Sequence, residues 1–218
     1  MSSPCRKTLP SSDMSPDGTL PPRLILAGRC NCPDAAASSQ SGRELLSELA
    51  TLQGFDCPLH AWSPRGSGPP RHPALPAEYT PVLSHRRGMV VAGLANRPLG
   101  LDLEVPVARH LQRLDALIEM LPEPEVRQRI HAAEDRLSAF YRAWTSYEAL
   151  FKLAWLQGQQ PSHVLAMRLT NLAPEGDIHA WSAQTKAATL SLCGPYADLD
   201  IRWSQSSEVV MELSNRKA

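Results

Sequence analysis

Neither sign of charge is in excess in this chain, since Lys+Arg and Asp+Glu both total 22 and the formal net charge is zero. A chain without net charge has no global attraction for nucleic acid or for an anionic membrane. Neither is therefore expected as the main partner, and any such contact has to be local. Long apolar runs are missing as well. None approaches the roughly 20 residues of a membrane span, and the N-terminus lacks the apolar segment of a secretory signal. Cysteines number five, an odd count without dense spacing, which suits a reducing compartment better than a disulfide scaffold. A cytoplasmic monomer is expected, and 218 residues suffice to bury one large domain or two half-sized lobes.

What is present concentrates in two stretches, Gly100-Leu101-Asp102-Leu103-Glu104 and Trp144-Thr145-Ser146-Tyr147-Glu148-Ala149-Leu150-Phe151-Lys152. The first reads as a strand, because Leu99, Leu101, Leu103 and Val105 alternate with other residues, and period two puts Asp102 and Glu104 on one face. The second lies in a helical pattern with Leu137, Phe140, Tyr141, Trp144, Phe151 and Ala154 on one apolar face, and Glu148 on or beside it. A carboxylate in an apolar stripe is costly to desolvate unless something cationic meets it. Two more carboxylates on a buried strand raise the same demand. A divalent cation with oxygen ligands would meet all three, and magnesium keeps waters or substrate phosphates in its remaining positions.

Taken in order, the first 22 residues are rich in Ser and Pro and poor in large apolar groups, which predicts a disordered leader. Leu24 to Ala27 predicts a strand, and Ser41 to Gln53 a helix stopped by Gly54. Cys30, Cys32, Cys57 and His60 offer three thiols and an imidazole. Zinc needs four such ligands, but the C-x-C spacing is tight and nothing forces the two pairs together, so buried or idle thiols are expected. Ser63 to Pro76 is a Pro/Gly/Arg loop. Strands are predicted over Thr80 to Ser84, Met89 to Ala95 and Leu99 to Val105, forming an antiparallel meander. Helices are predicted over Ala108 to Met120, Glu123 to His131 and Ala133 to Gln157. Further strands follow over Val164 to Thr170, Ile178 to Trp181, Ala188 to Cys193, Leu199 to Trp203 and Val209 to Leu213. This order implies an α+β protein. A serine-hydrolase reading of Ser84-His85 fails, because no G-x-S-x-G elbow occurs and neighbours in an extended segment point to opposite faces.

Ser84-His85, then Gly100-Leu101-Asp102-Leu103-Glu104, then Trp144-Thr145-x-x-Glu148-Ala149-x-x-Lys152, in this order, resemble the 4'-phosphopantetheinyl transferases. The resemblance is to the larger type acting on carrier proteins of polyketide, peptide and fatty-acid synthesis, and it runs from about Arg43 to Cys193. It implies two similar lobes in pseudo-twofold relation, here 23–105 and 106–218, each a small antiparallel sheet packed with a long helix, with the active site between them. It also implies transfer of the 4'-phosphopantetheine arm of coenzyme A to a serine of an apo acyl or peptidyl carrier protein, releasing adenosine 3',5'-bisphosphate. In that reading Asp102, Glu104 and Glu148 hold magnesium, and Glu148 is the base, directly or through a bound water. Lys152 meets phosphate oxygens, and Arg43, Ser84 and His85 hold coenzyme A.

Several positions leave alternatives open. Arg43 also reads as a solvated first-turn arginine, and Glu148 with Lys152 as an ordinary i,i+4 helix pair. Arg109, Arg113, Arg127 and Arg129 read either as solvated helix surface or as a landing surface for an acidic carrier protein. Three positions depart from the family. Gly68-Pro69-Pro70 lacks the family's lysine beside coenzyme A, Tyr147 stands for a lysine, and Trp155 stands for a glycine. Tyrosine carries no positive charge at neutral pH. A second reading follows, that of a degenerate relative binding carrier protein or coenzyme A without transferring anything.

Overall fold

The computed structural model describes residues 22–172 and 177–215, so the expected leader, Pro22 apart, lies outside the described residues. Pro22 is fastened, its carbonyl accepting a hydrogen bond from the Asp200 N–H. Strand β1 spans Arg23–Arg29. Helix α1, Ala35–Leu52, starts six residues ahead of the expected Ser41, because Asp34 caps it and accepts from the Ala36 and Ala37 N–H groups at 2.8 Å. An aspartate cap followed by three alanines is a strong helix start. Arg43 is consequently a mid-helix residue and not a first-turn one.

Strands β2, Thr80–Arg86, and β3, Met89–Ala95, form the expected hairpin. Its two-residue turn, Arg87-Gly88, has φ of 48° and 79°, the double left-handed geometry that matches strand twist. The expected meander ends there. Strand β1 pairs with the other edge of β3, from Leu24↔Ala95 to Arg29↔Val90, so no edge is left for β4, Gly100–Glu104, which joins a second sheet.

The predicted helix Ala108 to Met120 is two short pieces, α2 (Ala108–Leu111) and α3 (Leu114–Glu119), followed by α4 (Pro124–Ala132) and α5 (Arg136–Leu156). Val164 to Thr170 is not a strand but two 3₁₀ turns, Val164–Ala166 and Leu169–Leu172. The reason is a long-range contact: the Glu123 carboxylate accepts the Leu169 and Thr170 N–H groups at 2.6 and 2.9 Å, taking donors that a ladder would need. Strands β5 (His179–Gln184), β6 (Thr189–Gly194) and β7 (Asp200–Trp203) follow. Val209 to Leu213 is irregular, with the Val209 and Met211 carbonyls accepting from Ser207 Oγ and Trp203 Nε1, and only β8, Ser214–Asn215, pairs.

The first sheet has the order β2-β3-β1-β7 and the second β4-β6-β5-β8. The second is antiparallel, but the first is mixed, since β7 runs parallel to β1 from Arg23↔Asp200 onward. The expected pair of antiparallel sheets is corrected in this respect. Helix α1 packs on the first sheet and α5 on the second, giving a mixed α+β architecture with two small sheets and five helices among the described residues. Sheet membership crosses residue 105 in both directions, with β4 in the second sheet and β7 in the first. One apolar cluster runs through both, from Leu24, Leu26 and Val91 to Leu101, Leu103, Leu190 and Leu192. No helix among the described residues is long and apolar enough to cross a membrane.

Strand β4 is buried on both faces, so the alternation of Leu101 and Leu103 with Asp102 and Glu104 marks two covered sides and not one wet side. At its start Gly100 touches α5 so closely that a Cβ would overlap the Ala149 carbonyl oxygen. That oxygen belongs to the helix ladder and cannot yield without breaking it. Gly100→Ala is therefore expected to destabilise the fold by about 3 kcal/mol, the upper range for overpacking a core. Chemical denaturation checks this, and an unchanged midpoint would show that β4 and α5 are less tightly held together than described.

Candidate active site

Three elements remote in sequence converge at β4. Lys152 of α5 donates to Asp102 Oδ1 at 2.7 Å, to the Leu101 carbonyl at 3.0 Å and to Ser84 Oγ at 3.2 Å. Ser84 of β2 donates to Asp102 Oδ1 at 3.0 Å and accepts from the Leu103 N–H at 3.1 Å. A hydroxyl has one proton and two lone pairs, and these contacts use all three. Ser84, expected to hold coenzyme A, is thus a buried cross-link between the sheets that orients Asp102 and Lys152. Lys152 does not pair with Glu148 one turn away, but with Asp102 across the cavity.

Glu148 sits at the border of the buried face of α5, whose deepest residues include Tyr141, Tyr147, Ala149 and Leu153. With Asp102, Glu104 and Lys152 it lines a cavity of about 250 Å³. Burial, then the neighbouring Asp102 charge, pushes its carboxyl up, against the opposing pull of Lys152 and Arg86. Burial raises Glu104 to about 7 despite Arg86, whose Nε lies 2.9 Å from Glu104 Oε2. Arg86 was not picked out from the sequence. Its signal was period two, which sets it on the same side of β2 as Ser84.

Asp102 Oδ2 is a buried acceptor without a hydrogen-bond partner, and Glu104 Oε2 is met by the Arg86 guanidinium. Both are oxygen donors of the type that a hard divalent cation takes, so the donor set fits magnesium. Among the described residues, no group of three or more His, Cys, Asp or Glu stands ready as a ligand set. Lys152 and Arg86 hold Asp102 and Glu104 instead. The thiol and imidazole candidates diverge: Cys32 and Cys57 are buried beneath α1, Cys30 is half-buried and His60 is exposed. The four described cysteines are free.

A larger cavity of about 650 Å³ adjoins this one, with His85 and Lys152 lining both. Its walls are the loop Arg65 to Pro70, strand β2, and Phe151, Trp155 and Leu156 of α5. Ser63 and Arg71 close the loop, the Ser63 N–H donating to the Arg71 carbonyl at 2.9 Å and the Arg71 N–H to Ser63 Oγ at 3.0 Å. Arg43 lines the cavity and clamps α1 to the loop through hydrogen bonds to Ser39 and the Ser63 carbonyl. Burial first, then Arg65, Lys152 and Arg43, depresses the His85 imidazole, so it is neutral at pH 7 and a donor or acceptor by tautomer.

Of the positions at which the resemblance expects another residue, Tyr147 points away from both cavities. It is fully buried and donates to Glu123 Oε2 at 2.7 Å. Burial opposes the Glu123 charge, but the hydrogen bonds from Tyr147, Leu169 and Thr170 outweigh it and hold the carboxyl below the usual range. Trp155 is half-exposed at the mouth of the larger cavity, edge-on to Phe151. Arg109, Arg113 and Arg129 are exposed on α2 to α4, with Leu111 and Met120 exposed among them, while Arg127 donates inward to the Leu121 carbonyl. A scan against protein-family models finds no match to this chain, and a search of curated proteins finds none.

The Glu104 carboxyl makes stability depend on pH. Its affinity for a proton is higher in the folded state, at about 7, than the ordinary value of 4.5. Its contribution is fully present below about 4.5 and is lost as pH rises through about 7, a change on the order of 3 kcal/mol. In chelator, the melting temperature should fall over this window, and Glu104→Gln should flatten the fall. Equal slopes in both proteins would show that Glu104 does not carry the titration.

Proposed function

We propose that this protein transfers the 4'-phosphopantetheine arm of coenzyme A to a serine of an apo acyl or peptidyl carrier protein. One observation carries the reading: a carboxylate cavity lined by Asp102, Glu104 and Glu148 opens beside a larger cavity lined by Arg43, Arg65 and His85, with Lys152 at the boundary. A ligand with several phosphates, an apolar base and a long uncharged arm suits such a pair of sites. The packing of α1 on one sheet and α5 on the other supports two lobes in pseudo-twofold relation, with the cavities at their joint.

Asp102, Glu104 and Glu148 would hold magnesium, which when bound neutralises the pyrophosphate and acidifies a coordinated water. Arg43 and Arg65 offer charge to the nucleotide phosphates, and His85 a hydrogen bond. Lys152, already anchored at three acceptors, faces the charge that builds on the phosphate oxygens during transfer. The carrier serine oxygen forms the new P–O bond, and the pyrophosphate P–O bond breaks. Its electron pair leaves with adenosine 3',5'-bisphosphate, and the serine proton passes to Glu148. Burial makes Glu148 a stronger base than an exposed glutamate. The exposed Arg109, Arg113 and Arg129 with Leu111 and Met120 suit an acidic carrier protein. In this reading the protein is cytoplasmic and monomeric.

A second reading, a binder without transferase activity, draws on the engagement of Asp102 and Glu104 by Lys152 and Arg86. Incubation of apo carrier proteins with coenzyme A and magnesium, read by intact mass, separates the two. Transfer adds the mass of the arm, and Glu148→Gln should slow it by about a hundredfold or more, the usual range for a lost general base. No mass increase on any carrier supports the binder, and wild-type turnover by Glu148→Gln would remove Glu148 from the chemistry. His85→Ala should weaken coenzyme A binding by about 1.5–3 kcal/mol, as for a hydrogen bond to a charged group. Calorimetry showing equal affinity would release His85 from that role.

A further inference from the structure

We propose that Arg86 is an internal counterion standing at the cation position of Glu104, so that the carboxylate cavity takes a divalent cation as this guanidinium withdraws. The proposal rests on the cation-dependent reading above. The contact is close, with Nε 2.9 Å from Oε2, and both of these atoms are buried.

The two partners differ in what surrounds them. The Arg86 side chain is 42% exposed and the Glu104 side chain 10%. The cation can enter water, whereas the carboxylate is largely held away from it. Arg86 is the last residue of β2, next to the left-handed Arg87-Gly88 turn at the hairpin tip, so it has open space on one side. Lys152, the other cation in the cavity, is anchored by Asp102, Leu101 and Ser84 together. Of the two, Arg86 is the displaceable one.

Charge counting gives the same direction. Ionised Asp102, Glu104 and Glu148 carry three negative charges, which Lys152 and Arg86 leave short by one. Lys152 with a divalent cation balances all three. Arg86 remaining beside that cation would add an unbalanced positive charge in a partly desolvated place, so cation entry and Arg86 departure favour each other.

Calorimetric titration with magnesium alone, on full-length protein free of coenzyme A, tests this in wild type, Arg86→Gln and Arg87→Gln. Arg86→Gln should bind magnesium about three- to tenfold more tightly than wild type, the scale of a partly exposed ion pair. Its melting temperature should be lower than wild type without magnesium and rise more when magnesium saturates. Arg87→Gln removes the same charge from an exposed neighbour and should change the affinity less. Unchanged or weaker binding by Arg86→Gln, while wild type binds, overturns the counterion role and leaves the proposed function standing. An equal gain in Arg87→Gln also overturns it, because the effect is then general charge. Failure of both wild type and Arg86→Gln to bind magnesium overturns this inference and the cation assignment of the proposed function together.

Discussion

The Lys152 ammonium is the constraint on which the rest of the site depends. It is half-buried, and it gathers Asp102 and the Leu101 carbonyl from β4 and the Ser84 hydroxyl from β2. Breaking such a buried pair leaves an uncompensated charge, which costs more than the pair itself contributes. The joint between the two sheets and the charge pattern of the cavity are therefore the same set of contacts. Ser84, Asp102 and Lys152 each serve the fold and the site together.

Around this joint the charges are sorted. Three carboxylates lie on one side, and Arg43, Arg65 and a neutral His85 on the other, in cavities that share Lys152 and His85 as their border. Burial leaves the carboxylate side incompletely satisfied. It raises Glu104 to about 7 and leaves Asp102 Oδ2 without a hydrogen bond. An unsatisfied buried carboxylate is a standing demand for a cation. In this structure Lys152 and Arg86 meet part of that demand.

Two positions at which the resemblance expects another residue lie in different surroundings. Tyr147 stands where a lysine is expected, but its side chain leaves the cavity and seals α5 to Glu123 and the turn after Met167. Its character is that of a core residue with one satisfied hydroxyl. Trp155 does border the larger cavity, half-exposed against Phe151, so this departure changes the shape offered to a ligand.

The sequence alone determined the features that depend on neighbours a few residues away. These are the hairpin at Arg87-Gly88, the period-two strand at Leu101 and Leu103, the long helix carrying Glu148 and Lys152, and the α+β order of elements. The mistaken strands at Val164 to Thr170 and Val209 to Leu213 had strand-like residues, but side chains of Glu123, Ser207 and Trp203 took the backbone groups a ladder requires. Strand partnership was decided only by the tertiary structure. Strand β1 occupied the β3 edge, which sent β4 to the second sheet and let β7 return, parallel, to the first. The same holds for the choice of Asp102 over Glu148 as the partner of Lys152 and for the place of Arg86 against Glu104. Hydrogen-bond edges and buried charges are shared among segments far apart in the chain, and which segment takes them depends on what every other segment has already satisfied.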